Sequence, residues 1–415
     1  MNSHSSYQST NQNWIGDIPS HWSIKRLKYL TKVRKELSEH GTEELLSVTE
    51  TRGIVKRKEL RNVEENVSRS ENLSGYRLVQ KGDLVNNIML VWKRGLGVSQ
   101  YEGIVSPAYS VFSFNSDCDP NFFNYLLRSD EYISEFRRHS TGIVMSRLRL
   151  YDDSFGNVFA HLPPIEEQNL ISRYLDKKTS QVDSLVDKIQ KKIDLLKEQR
   201  TSLINHYVTK GLNPNVEMKG SDVEWIGIIP KHWSIVRLRF LCEIKTGGKD
   251  TQDNVENGDY PFFVRSPNVK RINSYSFDGE AVLTSGDGAG VGKIFHHYIG
   301  KFDYHQRVYK FSNFRGISGK FFYWFLKENF HYEILRWNAK STVDSVRLPF
   351  LQNFPMLLPP IKEQKDILLK IDSIDDRVEK LTQVLIKKIE TLKEYRQSLI
   401  SYVVTGKVRV TEDMI

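Results

Sequence analysis

The strongest constraint on the fold of this chain is an internal duplication. The segment WIGDIPSHWSIKRL at Trp14–Leu27 returns 211 residues later as WIGIIPKHWSIVRL at Trp225–Leu238. LPPIEEQ at Leu162–Gln168 returns 196 residues later as LPPIKEQ at Leu358–Gln364. An internal repeat of this size indicates the architecture before any other feature does. It predicts two similar halves related by a pseudo-two-fold axis, with unlike segments inserted into one frame.

A further repeated segment follows each of these junctions. KKIDLLKEQRTSLI at Lys191–Ile204 returns as KKIETLKEYRQSLI at Lys387–Ile400. The region from each LPPI segment to the end of the following repeated segment is called a tail. A double proline lies at the start of each tail, and Gly211 and Gly406 follow the two tails. Proline is tolerated in the first turn of a helix, and glycine commonly ends one. The pattern therefore predicts one long helix in each half, within residues 163–211 and 358–408.

Both predicted helices carry an apolar stripe that repeats every seven residues, as the seam of a coiled coil does. About 40 helical residues give roughly 60 Å of helix, and such a helix is marginal without a partner. We expect the two helices to pair antiparallel within the chain, and pairing with other chains is the alternative. The predicted seam residues are Val182, Leu185, Ile189, Ile193, Leu196 and Leu203 in the first helix, and Val378, Leu381, Leu385, Ile389, Leu392 and Leu399 in the second.

The repeated WIGxIPxHW segments are called the heads, and the repeated LPPIxEQ segments are called the junctions. The sequence between each head and its junction has the pattern of a mixed α/β domain. β-rich runs at 103–114, 260–264 and 307–311 are separated by Gly, Asn and Asp. The aromatic stretches 121–138 and 320–337 have a spacing of three and four residues, which favours core packing over base stacking. We therefore predict an α+β chain in which two mixed domains are joined by a long antiparallel coiled coil. The predicted order is a disordered arm 1–13, a first domain 14–162, a helix 163–211, a second domain 212–357, a helix 358–408 and a tail 409–415.

Composition narrows the class of protein. A chain of 415 residues has room for two or three cores, and it contains no run of 18 apolar residues that would predict a membrane span. Residues 1–13 lack the apolar region of a signal peptide. Two cysteines, Cys118 and Cys242, suit a reducing cytoplasm and cannot build a disulfide framework. The net charge of +9 permits a polyanionic partner without requiring one.

The motifs of common catalytic sites are absent from the sequence. GDGAGVGK at Gly286–Lys293 has neither the spacing of a phosphate loop nor that of a dinucleotide fingerprint, and it reads as a tight turn between strands. HExxH, a cysteine–histidine cluster and GxSxG do not occur. The Asn/Asp-Pro-Pro-aromatic motif of amino-methyltransferases and a helicase-type ATP site are missing as well. We therefore expect no catalytic residue and no metal site.

The repeated heads, LPPIxEQ junctions and KKIxxLKExRxSLI tails, in duplicate, resemble the specificity subunits of type I restriction–modification systems. GIVSPAY at Gly103–Tyr109 and HQRVYKF at His305–Phe311 are similar to segments of that family's target-recognition domains. The resemblance implies a non-catalytic subunit in which each half reads one half of a bipartite, asymmetric site in double-stranded DNA. It also implies that the helices set the spacing and dock two modification (adenine methyltransferase) subunits, which restriction and motor subunits join. AdoMet, ATP and Mg²⁺ would belong to those partners, and none to this chain.

Base-edge contacts specify a DNA sequence, and arginine and lysine are the side chains that most often read guanine. The candidate DNA-binding residues are Lys93, Arg94, Arg147 and Arg149 in the first half, and Lys249, Arg265, Lys293 and Arg347 in the second. For each of them, a solvated or ion-paired surface role is the alternative. For the whole chain, the alternative is a duplicated coiled-coil scaffold that binds protein or RNA, and an enzyme with an unrecognised site is a third possibility.

Overall fold

The computed structural model describes residues 3–60, 73–144, 147–338 and 345–415. The chain divides into two compact units, Met1–Ile189 with Lys387–Ile415 and Gln190–Ile386. This division falls inside the two long helices, so each unit contains a part of both. The predicted domain boundaries, which follow the helix ends, are a different division of the chain and stay predictions.

Unit 1 is built from short strands around an antiparallel four-stranded sheet in the order β4-β11-β8-β9. Its strands are β1 Tyr7–Ser9, β2 Asp17–Pro19, β3 Ser23–Arg26, β4 Thr31–Val33, β5 Leu46–Thr49, β6 Gly53–Lys56, β7 Arg77–Val79, β8 Leu84–Asn87, β9 Leu96–Val98, β10 Gly103–Val105, β11 Tyr109–Phe114 and β12 Phe159–Leu162. Its own helices are α1 Pro120–Leu127, α2 Asp130–His139 and α3 Asp152–Gly156. The first long helix, α4, runs over Ile165–Lys210 and continues into unit 2.

Unit 2 has a larger sheet of six strands in the order β16-β21-β19-β20-β17-β18. Its strands are β13 Met218–Gly220, β14 Ile228–Pro230, β15 Ser234–Arg237, β16 Glu243–Thr246, β17 Tyr260–Phe263, β18 Lys270–Ile272, β19 Phe277–Ser285, β20 Phe295–Tyr304, β21 Val308–Ser312 and β22 Pro355–Leu358. Its helices are α5 Leu238–Leu241, α6 Gly319–Asn338, α7 Leu348–Asn353 and the second long helix, α8, over Ile361–Val404. The predicted α+β class is confirmed.

The core of each unit is aromatic, as the spacing in the sequence predicts. Phe122, Phe123, Tyr132 and Phe136 from α1 and α2 are fully buried in unit 1. In unit 2, α6 buries its own set of aromatic side chains, Phe321, Phe322, Phe325 and Phe330. These rings pack against the sheet and against the long helices, so they belong to the core and are not available for base stacking.

Within each unit the two long helices pack antiparallel. In unit 1, Leu175 near the start of α4 shares a core with Val404 at the end of α8. In unit 2, Val208 near the end of α4 shares a core with Ile367 near the start of α8. Gly211 and Gly406, which follow the helices, have φ angles of 80° and 74°, the left-handed conformation that ends a helix.

The seam follows alternating steps of three and four residues, and this corrects one predicted position. Val182, Ile189 and Ile193 are buried, but Leu185 is 39% exposed. Val186, one residue later, lies on the seam at half burial. The reason is geometric, because four residues after Val182 is closer to a whole number of helical turns than three. The remaining predicted seam residues are buried or half-buried: Leu196, Leu203, Val378, Leu381, Leu385, Ile389, Leu392 and Leu399.

The predicted disordered arm is a second correction. Residues 1–2 lie outside the described residues, but Tyr7–Ser9 forms β1 and pairs antiparallel with Asp17–Pro19. His4 is buried, and the Tyr7 hydroxyl donates to the carbonyl of Gly406 at 3.2 Å. These backbone and side-chain hydrogen bonds order a segment whose polar composition indicated disorder.

The duplicated head and junction motifs form the same lock in both units. Trp22 Nε1 donates to Glu167 at 3.0 Å in unit 1, and Trp233 Nε1 donates to Glu363 at 2.9 Å in unit 2. Both tryptophans are buried, so the head is fastened to the first turn of each long helix. The repeated glutamate therefore has a structural task in each unit.

The glutamine of each junction clamps the loop that precedes the aromatic helix. Gln168 donates to the carbonyl of Asp117 at 3.0 Å and accepts from the backbone N–H of Asp119 at 2.8 Å. Gln364 makes the matching pair of contacts with Gly316 at 3.1 Å and with Ser318 at 2.8 Å. Duplicated residues thus make duplicated contacts.

None of the described helices has the length and apolar content that crossing a bilayer requires.

Candidate nucleic-acid interface

Five loops of unit 2 meet at one edge of its six-stranded sheet. The β19–β20 loop is joined to the β20–β21 loop by the Gly286 N–H, which donates to the Arg307 carbonyl at 2.8 Å. The Val346 N–H, just before α7, donates to the Gly286 carbonyl at 2.8 Å. The Gln306 N–H donates to the Lys249 carbonyl at 2.8 Å, and the His305 N–H donates to the Phe263 carbonyl at 2.9 Å. Backbone hydrogen bonds therefore hold these loops together as one rigid surface, the loop edge of unit 2.

A close approach of the backbone at this edge requires glycine. A Cβ on Gly247 would lie 1.9 Å from the carbonyl oxygen of Tyr304, which is far inside van der Waals contact. The backbone just after β16 can therefore approach Tyr304 this closely only because Gly247 has no side chain.

At the centre of the loop edge, two arginines, Arg265 and Arg307, form ion pairs with the same carboxylate, that of Asp287. Arg265 Nη1 donates to Asp287 Oδ1 at 2.9 Å, and Arg307 Nη1 donates to Asp287 Oδ2 at 2.6 Å. Burial alone would raise the pKa of Asp287, but the hydrogen bonds from Arg307 and Arg265 outweigh it and hold this pKa below its usual value. The cluster carries a net positive charge, and its arginine side chains are 39% and 60% exposed. Such arginines are positioned in advance and still reach solvent.

The structure brings the four predicted residues of the second half to this edge. Arg265 belongs to the cluster, and Lys249 lies in the loop that pairs with His305. Lys293 is exposed in the β19–β20 loop, and Arg347 is exposed at the start of α7 beside Val346. Neither Lys293 nor Arg347 makes an ion pair with a described acidic residue, so both cations remain available to a ligand.

The predicted residues of the first half occupy the matching loops of unit 1. The Leu150 N–H donates to the Ile88 carbonyl at 2.9 Å, the counterpart of the contact between Val346 and Gly286. Arg147 and Arg149 are exposed in the loop that this hydrogen bond holds. Ile143, in the same loop, is fully exposed.

Lys93 and Arg94 lie in the loop between β8 and β9, and they differ in environment. The Lys93 ammonium is exposed and lies 4.9 Å from the centre of the Trp92 ring. Arg94 pairs with Asp130 and donates from Nε to the Arg128 carbonyl at 3.1 Å, while Arg128 donates back to the Arg94 carbonyl at 3.0 Å. The Arg94 side chain is therefore committed to the protein, whereas that of Lys93 is accessible.

Sequence reasoning missed Arg307 and Asp287. Arg307 lies in HQRVYKF, a segment similar to those of the family's target-recognition domains, but it is not among the predicted DNA-binding residues. Asp287 lies in the glycine-rich GDGAGVGK turn, and the phosphate-loop motif is defined by glycines and a lysine and not by an acidic residue. The signal that could have found them is a turn placed between two long β runs, since such turns collect at one edge of an antiparallel sheet.

Comparisons with known proteins match this architecture. Residues 230–391 match the family model described as the type I restriction modification DNA specificity domain. The specificity subunit of the type I restriction enzyme EcoDI from Escherichia coli is 32% identical over 182 residues, which cover 44% of this chain and 40% of that subunit. That match spans less than half of the relative's length. The MjaVIII specificity subunit from Methanocaldococcus jannaschii is 26% identical over 353 residues, which cover 78% of this chain and 80% of that subunit.

A solved structure shares the fold across the chain. A subunit from work on the assembly and conformational transition of a type I restriction–modification system superimposes with a TM-score of 0.70, covering 94% of this chain and 99% of its own at 16% identity. Fold, loop edges and sequence matches together define a duplicated protein that carries a DNA specificity domain. Over residues 230–391 the chain carries the type I restriction modification DNA specificity domain, and its resemblance to the specificity subunits of type I restriction–modification systems is confirmed.

Proposed function

We propose that this chain is the DNA-reading component of a type I restriction–modification complex, and that each unit reads one half of a bipartite, asymmetric site. The observation that carries this proposal is the loop edge of unit 2, where Arg265 and Arg307 are held by Asp287 and still reach solvent. Arginine held in a fixed direction suits the bidentate recognition of guanine in the major groove. The chain has a specificity role and is not the catalytic component.

Unit 1 would read the other half-site with different chemistry. Its matching loops present Lys93, Arg147 and Arg149 together with the exposed Ile143. Lysine and arginine there would contact phosphates or guanine, and an apolar side chain would contact a thymine methyl group or a base step. Two unlike sets of loops, attached to the same repeated head, junction and helix motifs, support two unlike half-sites.

The long helices would set the spacing between half-sites and dock two adenine methyltransferase subunits. Restriction and motor subunits would join this assembly on double-stranded DNA, in the cytoplasm. Exposed apolar side chains on α8, including Leu369 at 69% and Val384 at 64%, support a helix surface that is left over for partners. AdoMet, ATP and Mg²⁺ would be bound by those subunits and not by this chain.

An exchange of the segment between the two long helices tests whether each half reads its own half-site. Residues 211–360 would be replaced by the equivalent segment of a related subunit, and methylated motifs would be mapped in the host genome with each version. We expect one half of the bipartite motif to change while the other half and the methylation level stay the same. A change in both halves would contradict the two-reader proposal. The absence of any sequence preference in the assembled complex would favour the alternative of a scaffold for protein or RNA.

A charge-matched pair of variants tests the loop edge. Arg307→Ala removes one arginine of the cluster, whereas Lys301→Ala removes one cation from β20, the strand that precedes Arg307, where Lys301 pairs in register with Asp278. For the assembled complex, we expect Arg307→Ala to lower discrimination at one position by about 1–3 kcal/mol, and Lys301→Ala to leave it unchanged. Equal effects of the two variants would exclude the loop edge as the reading surface.

A further inference from the structure

Three possible metal ligands meet where the head of unit 1 joins the first turn of α4. His4, His21 and Glu167 each offer one donor atom, and these atoms all lie within 4.8 Å of one another. His21 Nε2 is 2.8 Å from Glu167 Oε2, and His4 Nε2 is 3.8 Å from Glu167 Oε1. His21 and Glu167 belong to the repeated head and junction motifs, whereas His4 lies outside both, and the spacing of the three residues matches no metal-binding motif.

His4 is buried with an unsatisfied nitrogen. Its side chain is 4% exposed, and Nε2 is enclosed without a hydrogen-bond partner among the described residues. A buried polar atom without a partner is costly, and native structures rarely tolerate one without a ligand or a water.

The donor set suits a divalent transition metal. Two imidazole nitrogens and one carboxylate oxygen form a common ligand set for Zn²⁺, which leaves a fourth position for water. Tetrahedral Zn²⁺ with bonds of about 2.0–2.2 Å places its ligands roughly 3.4 Å apart, so small side-chain rotations would bring these three atoms into range. His21 is 50% exposed, which leaves the site open to entry from solvent.

A neighbouring donor orients the carboxylate. Trp22 Nε1 donates to Glu167 Oε2 at 3.0 Å, and the Trp22 ring packs edge-on against that of His4 with their centres 5.9 Å apart. Hydrogen bonds to a ligating carboxylate are typical of metal sites, where they fix its direction.

Unit 2 provides an internal comparison. His232 and Trp233 contact Glu363 at 2.8 and 2.9 Å, as His21 and Trp22 contact Glu167 in unit 1. The residue 211 positions after His4 is Asn215, which is exposed. Two of the three ligands are thus duplicated, and the third occurs in unit 1 alone. The shared pair explains the structural lock, but it leaves the burial of His4 without an explanation.

We propose that His4, His21 and Glu167 form a structural site for Zn²⁺ or a similar divalent transition metal, which fastens the segment before β1 to the first turn of α4. The site is independent of DNA recognition. It adds a metal link to the lock that Trp22 and Glu167 already form, and it does so in unit 1 only.

The test uses the full chain without a polyhistidine tag, after treatment with a chelator. Titration calorimetry with Zn²⁺ is expected to show one site per chain, and Co²⁺ is expected to give the visible absorption of a tetrahedral complex. His4→Gln should weaken Zn²⁺ binding by about 100-fold or more, since loss of even a residue that only hydrogen-bonds to a metal ligand commonly weakens binding by about 10–100-fold. His232→Gln, the matched control in unit 2, should leave binding unchanged.

Two further measurements separate loss of the site from loss of folding. His21→Gln alters a half-exposed side chain, so it should keep the circular dichroism of the parent chain and still lose Zn²⁺ binding. Zn²⁺ should raise the thermal midpoint of the parent chain and of His232→Gln, but not that of His21→Gln. The proposal is overturned if the parent chain binds no Zn²⁺, or if the His4 and His21 variants bind it as the parent does.

Discussion

Arg200 and Asp375 form a bidentate ion pair between the two long helices of unit 2. Arg200 Nε donates to Oδ1 at 2.7 Å and Nη2 donates to Oδ2 at 3.0 Å. The duplicated arginine in unit 1, Arg396, has no carboxylate at the equivalent position, since the residue 196 positions before Asp375 is Thr179. Arg396 Nε instead lies 2.9 Å from Asp183 Oδ1. Both units therefore contain the arginine, but its acidic partner on the other long helix lies at a different position in each unit.

This ion pair should stabilise unit 2 measurably. Asp375→Ala leaves Arg200 without its partner at a site where both side chains are only about a quarter exposed. We expect a loss of about 1–2 kcal/mol in the free energy of unfolding, less than for a fully buried pair because solvent screens these charges. Urea unfolding of a double-mutant cycle with Arg200→Ala would measure the coupling. Asp376→Ala is the matched control, because Asp376 is exposed, and equal losses for the two aspartates would contradict this assignment.

The seam should be energetically distinct from the outer face of the same helix. Ile193 is 2% exposed and Leu195 is 64% exposed on the same turn of α4. Ile193→Ala should lower the free energy of unfolding by about 2–4 kcal/mol, because it removes buried methyl groups and leaves a cavity. Leu195→Ala should change it by less than about 0.5 kcal/mol. Chemical denaturation checks both, and similar losses would mean that the helices do not pair through this seam.

Lys310 provides a pH-dependent test. Its side chain is buried, its ammonium lies 3.4 Å from the centre of the Phe277 ring, and burial lowers its pKa to about 8, with the Lys245 charge acting in the same direction. A pKa below the unfolded value means that the charged lysine destabilises the fold. This penalty is fully present below about pH 8 and is relieved as the pH rises towards about 10.4.

Lys310→Met should therefore raise the free energy of unfolding by about 1–3 kcal/mol at pH 7, and the gain should shrink towards pH 10. Methionine fills a similar volume and packs well against aromatic rings. Lys245→Met, which removes an exposed charge on the neighbouring strand that also lowers the pKa of Lys310, is the comparison variant and should give only a small part of this gain. A gain that does not depend on pH would show that packing and not charge is responsible.

Asp287 should govern the balance between specific and non-specific DNA binding. Asp287→Asn removes the carboxylate that holds Arg265 and Arg307, and it raises the positive charge of the loop edge. We expect the assembled complex to bind unrelated duplexes more tightly, with a steeper dependence on salt, while its preference for the cognate site falls. Fluorescence anisotropy at several salt concentrations measures both quantities.

Asp278→Asn is the control for the charge change, because Asp278 lies on β19 away from the loop edge. If both variants shift the affinity for all duplexes equally, Asp287 acts through net charge alone. Retention of full sequence preference by Asp287→Asn would show that the two arginines need no carboxylate to read DNA.

Local pattern predicts the long helices well because their determinants lie within a few residues of one another. The seven-residue repeat, the prolines before Ile165 and Ile361, and the glycines after each helix specify the bounds of α4 and α8 from neighbouring positions alone. The distinction between Leu185 and Val186 is finer. Helical periodicity places Val186 about 40° and Leu185 about 60° around the helix from Val182, a small difference, so packing against the partner helix decides which of them is covered.

The duplication alone thus determined that the chain has two α+β halves, one long helix in each and a seam on each helix, since repetition and periodicity are properties of the order of residues. Tertiary structure alone decided which side chains meet across long separations. Glu167 meets Trp22 and His4, and Asp287 meets Arg265 and Arg307, although the partners in these pairs are 20 to 163 positions apart in the sequence. Such contacts depend on the packing of sheets and loops in three dimensions, and no local pattern in the sequence encodes that packing.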